Sequence, residues 1–259
     1  MPRRNTPASS SGTSPALVVI PARLESTRLP RKALLAESGK PLVQHAWEAA
    51  RRAREAGRIV VATDSDEIAR AVRGFGGEAV LTEARHATGS DRVAEVARFS
   101  PEEIVVNLQG DWPDLDPEAI DSLVGALRED RECGIATIAY PLDDRPDLFA
   151  DASQVKVVCD RNRRALYFSR APVPYPRNVQ SAEGFPLGHA GIYGFRRRTL
   201  LEFAALEPTP LERLEGLEQL RALENGMPIR LVIGPYACRG IDTREDYEVF
   251  LRRMRARSS

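Results

Sequence analysis

Short apolar runs recur through the first half of the chain at LVVI (17–20), RIVVAT (58–63), EAVLT (78–82) and EIVVNL (103–108), with an amphipathic segment between each pair. Runs of that length without strict polar alternation are strands buried on both faces, and the segments between them are long enough for crossover helices. This alternation predicts a Rossmann-like α/β fold, a mostly parallel mixed sheet flanked by helices. The intervening helices are predicted at 41–57, 65–76 and 90–99, each opening near Pro, Ser or Asp, and the first two closing at Gly. A further helix is expected over 116–130, with Asp116 as its cap and Pro117 in its first turn.

The second half has a different texture. IATIAYPL (135–142), QVKVVCD (154–160) and RALYFSR (164–170) read as strands, with a hairpin turn from Asp160 to Arg164. A proline-rich passage over 171–188 is neither helix nor central strand. Then come a strand at 189–195, a helix through TPLERLEGLEQLRALENG (209–226), a strand at 227–234 and a closing helix at 243–259. Neither an internal repeat nor a clean linker interrupts this order, so one domain is expected over 16–259. The leader, residues 1–15, is rich in Ser, Pro and Thr and is expected to be a disordered tail.

Basic and acidic residues number 37 each, so a generally cationic surface for nucleic acid or membrane is not indicated. Cys133, Cys159 and Cys238 are widely separated and form no C-x-x-C, which speaks against a disulfide framework or zinc site and for a reducing compartment. The leader lacks a signal-peptide apolar region, and no apolar run approaches the roughly 18 residues that a membrane span needs. A cytoplasmic protein with no membrane partner is the expectation.

The basic residues are unevenly placed. VVIPARLESTRLPRKAL (18–34) puts Arg23, Arg28, Arg31 and Lys32 in the loop that leaves the first strand, where ligands of open α/β sheets sit. Fork-shaped guanidinium donors and an ammonium suit phosphate oxygens. Gly-x-Gly-x-x-Gly and Walker patterns are missing here, so side chains rather than backbone amides would grip a polyphosphate. NLQGDWP (107–113) places Asp111 just past a buried strand, and RGIDTRED (239–246) places Asp242 ahead of the closing helix. Such carboxylates can share one magnesium ion and its bridging phosphates, although a turn residue and an N-cap are the simpler readings of each alone.

Seven collinear segments then resemble one family: A-R-x-x-S-T-R-L-P-x-K (22–32), HATGSDR (86–92), VNLQGD (106–111), LYFSRA (166–171), HAGIYGF (189–195), PLERLEGLEQLR (210–221) and GIDTRED (240–246). The likeness is to the 3-deoxy-manno-octulosonate cytidylyltransferases, the CMP-Kdo synthetases of lipopolysaccharide biosynthesis. It implies a CTP-dependent nucleotidyltransferase, usually a homodimer, whose partners are CTP and an acidic sugar. By that resemblance Arg23, Ser26, Arg28 and Lys32 lie along the CTP phosphates, and Thr88, Gly89, Ser90 and Arg92 help frame the nucleotide. Asp111 and Asp242 would hold Mg2+. Lys32, Arg23 and Asp111 would form the catalytic set, with Lys32 stabilising charge at the transferred phosphoryl group. Gln109, Arg170, His189, Tyr193, Glu215 and Gln219 would face the sugar acid, the last two sharing one helix turn by their spacing of four.

The family ordinarily reads Q-G-D-E-P where this chain reads QGDWP, so Trp112 replaces a carboxylate with a large apolar ring. An acceptor other than the octulosonate, such as an amino-sugar acid or a phosphonate, stays open at this level. The retention of Lys32, Asp111 and Asp242 together argues against a catalytically silent nucleotide-binding relative.

Overall fold

The computed structural model describes residues 14–26, 28–142, 145–177, 186–236 and 240–258. Most of the expected leader (1–13), the middle of the proline-rich passage (178–185), and Thr27, Cys238 and Arg239 lie outside the described residues. The first half alternates strands β1 (Ala16–Ala22), β2 (Ala56–Thr63), β3 (Glu78–Leu81) and β4 (Ile104–Asn107) with helices α1 (Leu42–Ala50), α2 (Asp66–Gly74) and α3 (Gly89–Arg98), and α4 (Pro117–Glu129) follows. The second half contains β5 (Ile135–Pro141), α5 (Pro146–Ala150), β6 (Lys156–Cys159), β7 (Ala165–Ser169) and β8 (Leu187–Arg196). It continues through α6 (Arg197–Ala204), α7 (Pro210–Glu215), α8 (Leu220–Glu224), β9 (Ile229–Ile233) and α9 (Arg244–Ser258).

The main sheet runs β3-β2-β1-β4-β8-β5-β9. Its neighbours are parallel except that β8 runs antiparallel to both β4 and β5. The hairpin β6–β7 joins through the β6–β8 pairing. In β1, Val18 and Ile20 enter a layer with α1 and α4, while Leu17 and Val19 enter the opposite layer with α3 and α6. All four are fully buried, which is why the strand shows no polar alternation. Burying each such side chain stabilises the fold by about 1.5–3 kcal/mol.

Three expectations need correction. The helix predicted over 41–57 stops at Ala50, because Ala56 and Gly57 already belong to β2, and Glu55 accepts the Ala16 amide at 2.8 Å. Sheet pairing along β1 outweighs the helix propensity of the Ala/Arg run. The helix predicted over 209–226 is broken in two by Gly216, whose φ of 62° is left-handed and terminates α7. Helices α5 and α6 were not anticipated; α6 follows β8 without any intervening turn residue.

A third apolar cluster joins Leu29 of the β1 loop, Leu42, Ile241, and Tyr247, Phe250 and Leu251 of α9. The chain's last helix is thereby docked beside the loop that leaves its first strand. Among the described residues no helix is long and apolar enough to cross a membrane.

Candidate active site

From β1 the chain builds outward through β2 and β3, then returns to place β4 on the other side of β1. Loops leaving the carboxyl ends of β1 and β4 therefore diverge and leave a crevice between them. A cavity of about 370 Å³ opens there, lined by Arg23, Ser26, Arg28 and Lys32 from one loop, Gln109, Gly110 and Asp111 from the other, and by Gly89 and Asp242. Gly110 permits the close approach of the two loops: a Cβ there would lie 3.2 Å from the Pro21 carbonyl oxygen and 3.3 Å from Ile20 Cγ2.

The β1 loop turns without glycine. Arg31 takes a left-handed conformation (φ 57°), and a 3-10 turn, Lys32–Leu34, follows. Leu29 and Ala33 are buried on either side of this bend, which aims Lys32 into the crevice. Its Nζ lies 2.5 Å from Asp111 Oδ2 and 3.1 Å from Asp242 Oδ1, and Arg28 Nη2 is 3.1 Å from the same Asp242 oxygen. Residues 79 and 210 positions apart thus meet at one ammonium. Asp242 is free to do so because Thr243, not Asp242, opens α9: Thr243 and Asp246 exchange amide and side-chain bonds, and Asp246 also accepts the Asp242 amide.

Burial works against the Lys32 ammonium, but Asp111 and then Asp242 outweigh it and raise its pKa above the ordinary lysine value. Lys32 is therefore charged at neutral pH. Burial pushes the Asp111 carboxyl up, the Lys32 charge reverses part of that, and Asp242 adds to it. Among the described residues Asp111 Oδ1 is buried without a hydrogen-bond partner. Two hard oxygen donors that reach one cationic point, one of them with an unsatisfied atom, fit a magnesium ion that keeps waters and substrate phosphates as its other ligands. Among the described residues no set of three or more His, Cys, Asp or Glu side chains converges as a metal cage.

The remaining residues implied by the resemblance separate by location. Arg23 Nη2 donates to the His86 carbonyl at 2.8 Å. In the 88–92 segment only Gly89 lines the cavity. Thr88 forms a reciprocal cap with Asp91 at the start of α3. Ser90 is buried and donates to Glu218 at 2.9 Å. Arg92 is fully buried, and its guanidinium donates to Thr82 Oγ1 at 2.6 Å and Asp64 Oδ2 at 2.8 Å, which leaves it closed to a ligand in this arrangement.

On the expected acceptor side only Gln109 reaches the cavity. Arg170 gives its guanidinium to the carbonyls of Glu215, Ala152 and Gly216. Glu215 accepts from Ser169 Oγ at 2.7 Å and from the Arg170 amide at 2.9 Å, locking the end of α7 onto β7. Glu215 and Gln219 do not share a helix turn, because Gly216 ends the helix between them. Gln219 instead lines a small internal void with Ser90, Tyr193 and Glu218. His189 is buried against Phe168 and Tyr193, and its Nε2 lies 2.9 Å from Thr137 Oγ1. Because the Thr137 hydroxyl donates to the Ile192 carbonyl at 2.7 Å, it accepts from His189, so Nε2 carries the proton. Burial lowers the His189 pKa to about 3. Burial also pushes the Tyr193 hydroxyl well above its ordinary value.

Glu218 is the residue that sequence reasoning missed. Burial pushes its carboxyl up more than its bonds to Thr88 and Ser90 pull it down, and among the described residues Oε1 has no partner. The run LERLEGLEQL contains Glu212, Glu215 and Glu218, and no local pattern separates the buried one from its neighbours. Trp112 is buried, with Nε1 3.1 Å from where a Cβ on Gly240 would stand, so the ring underpins the segment that presents Asp242.

With this geometry in hand, comparisons with known proteins are specific. A Cytidylyltransferase family profile matches residues 17–229. The 3-deoxy-manno-octulosonate cytidylyltransferase of Syntrophobacter fumaroxidans is 48% identical over 233 residues, covering 89% of this chain and 93% of that protein. Its namesake in Geobacter sulfurreducens is 46% identical over 246 residues, covering 92% and 98%. A solved CMP:2-keto-3-deoxy-manno-octonic acid synthetase complexed with CTP superposes with a TM-score of 0.89 at 39% identity, covering 94% of this chain and all of the other. The chain belongs to the 3-deoxy-manno-octulosonate cytidylyltransferase family.

Proposed function

We propose that this protein transfers CMP from CTP to the anomeric hydroxyl of 3-deoxy-manno-octulosonate and releases pyrophosphate. The observation that carries this reading is the meeting of Lys32 with Asp111 and Asp242 at the mouth of the β1/β4 crevice, in a chain of this family. An anomeric oxygen bonds to the α-phosphorus as the bond from that phosphorus to the pyrophosphate oxygen breaks. The protein supplies position and charge rather than covalent chemistry. In this reading Arg23, Arg28 and Lys32 grip the triphosphate, and Ser26 and Gly89 shape its bed. Lys32 stabilises the charge that develops at the transferred phosphoryl group.

Asp111 and Asp242 are the residues that would hold magnesium. When bound, such an ion lowers the charge repulsion that the attacking oxygen meets and bears part of the charge on the departing pyrophosphate. In this reading Gln109, which lines the cavity, meets the acceptor. Trp112 is engaged with the Asp242 segment, so its replacement of the family carboxylate is read as support for that segment rather than as a change of acceptor.

The same reading includes a homodimer and, because CTP is an intracellular metabolite, a cytoplasmic enzyme. Support for pairing comes from the exposed apolar side chains Leu166 on β7 and Leu214 on α7, elements joined through Ser169 and Glu215. Sedimentation velocity of wild type and Leu214→Asp tests it; a wild-type monomer would sink it. The activity is tested by pyrophosphate release with CTP, Mg2+ and a panel of acidic acceptors. Release with the octulosonate above all others is expected. No release with it, beside release with a different acid, would overturn the assignment.

A further inference from the structure

Arg23 faces the cavity from a loop, yet its guanidinium is aimed by a backbone acceptor, the His86 carbonyl at 2.8 Å. His86 lies in the connection from β3 to α3, where Thr82 is buried and donates its amide to the Thr63 carbonyl at 2.9 Å and residues 83–88 are exposed or half-buried. One stripe of α3 holds that connection. The reciprocal cap of Thr88 and Asp91 fixes its end. Arg92 donates to Thr82 Oγ1 at 2.6 Å and fixes its start. Glu95 fixes its middle, where Oε2 accepts the Glu83 amide at 3.0 Å and the same oxygen meets His86 Nε2. Positions 88, 91, 92 and 95 follow the helical spacing of three, four and seven, so they share one face. Glu95 is the member of this stripe that touches His86.

We propose that Glu95 is a positioning residue for the nucleotide triphosphate: it fixes His86, whose carbonyl aims the Arg23 guanidinium across the cleft. This rests on the reading of Arg23 as a phosphate contact. Burial tends to raise the Glu95 carboxyl, but the His86 contact and the Glu83 amide outweigh it and hold it below the ordinary glutamate value. A carboxylate so held is a fixed anchor. Without it the loop slackens, and Arg23 must be ordered at the moment CTP binds, a cost of about one rotamer-rich side chain. Substitution of Glu95 should therefore weaken CTP binding without touching the acceptor.

The experiment is a double-mutant cycle on the full chain with Glu95→Ala and Arg23→Ala, reading KM for CTP, KM for the octulosonate, kcat and Tm. Glu95→Ala is expected to raise the CTP KM about five- to tenfold, with the acceptor KM unchanged. In the Arg23→Ala background the same substitution should add nothing. A purely structural role would lower Tm and move both KM values in either background, and that result overturns the proposal. So does an unchanged CTP KM in Glu95→Ala where Arg23→Ala raises it. An unchanged CTP KM in Arg23→Ala refutes instead the phosphate role of Arg23, and this inference with it. If Glu95→Ala fails to fold, Glu95→Gln keeps an acceptor oxygen for the Glu83 amide and loses the charge; a smaller rise in CTP KM, again absent in Arg23→Ala, is expected.

Discussion

Replacement of Lys32 by methionine removes one charge and little volume. The side chain is mostly buried, with 18% exposure, and its ammonium is the partner of Asp111 Oδ2, while Oδ1 has none. Methionine fills the same space, so packing loss is small. Truncating one member of a fully buried pair costs about 3–5 kcal/mol, chiefly for the charge left behind. Asp111 keeps 21% exposure and Asp242 keeps 42%, so solvent screens part of that loss. We expect about 1–3 kcal/mol of stability to be lost, with Tm falling about 2–4 °C per kcal/mol for a chain of this size. On the proposed mechanism turnover loses a preorganised cation at the transferred phosphoryl group, worth about 100- to 1000-fold.

The pH profile gives an independent sign. Burial already pushes Asp111 up and Lys32 reverses part of it, so methionine at 32 raises that carboxyl further. On the proposed mechanism the reaction needs Asp111 ionised, so activity is lost as pH falls through its pKa, and the acid limb of kcat/KM should move to higher pH in the variant. Pyrophosphate release over a range of CTP concentrations at each pH gives kcat and kcat/KM, and urea unfolding measures the stability. A Lys32→Met enzyme that keeps most of its turnover with an unmoved acid limb would refute the role.

His189 titrates at about 3 in the fold against an ordinary value near 6.5, so the unfolded chain takes up the proton first as pH drops. Stability from this residue is complete above about pH 6.5 and declines toward pH 3, by about 2 kcal/mol at pH 5; Tm of wild type should fall more than that of His189→Gln between pH 7.5 and 5, and parallel curves would contradict this. Glu218 has the opposite sign: its folded value is raised, so its contribution is present below the ordinary glutamate value and is lost as pH rises through the folded one. Glu218→Gln should accordingly raise Tm at pH 8, and a lower Tm there would refute the burial argument. Lys156 is fully buried and donates to the carbonyls of Asp151, Gln154 and Arg170 at 2.9, 2.6 and 2.6 Å. Lys156→Met removes this donor from all three, with the Asp151 carbonyl keeping the Gln154 amide at 3.1 Å, and should cost about 2–4 kcal/mol in urea unfolding; an unchanged midpoint would show that water replaces the ammonium.

The sequence by itself determined the elements whose signals are local. The apolar runs of β1, β2, β3 and β4, the Ser65 and Asp116 caps and the Asp160–Arg164 turn all act within a few residues, and each is where its pattern put it. The basic loop after β1 and the turn at Asp111 were legible for the same reason: a strand end followed by charge is a local feature. Tertiary structure decided what depended on distant partners. Only pairing with β1 could turn Ala56 and Gly57 from helix to strand, and only the apolar dock of α9 against Leu29 could bring Asp242 to Lys32. Likewise Arg92, Arg170 and Glu215 read as ligands by the family resemblance, but the fold turned their polar atoms to Asp64, to backbone carbonyls and to Ser169, while Glu218 was drawn inward. A charged side chain looks the same in sequence whether it meets a ligand or the protein's own backbone. Burial chooses between them, because a buried polar group must be satisfied by whichever neighbour the packing supplies.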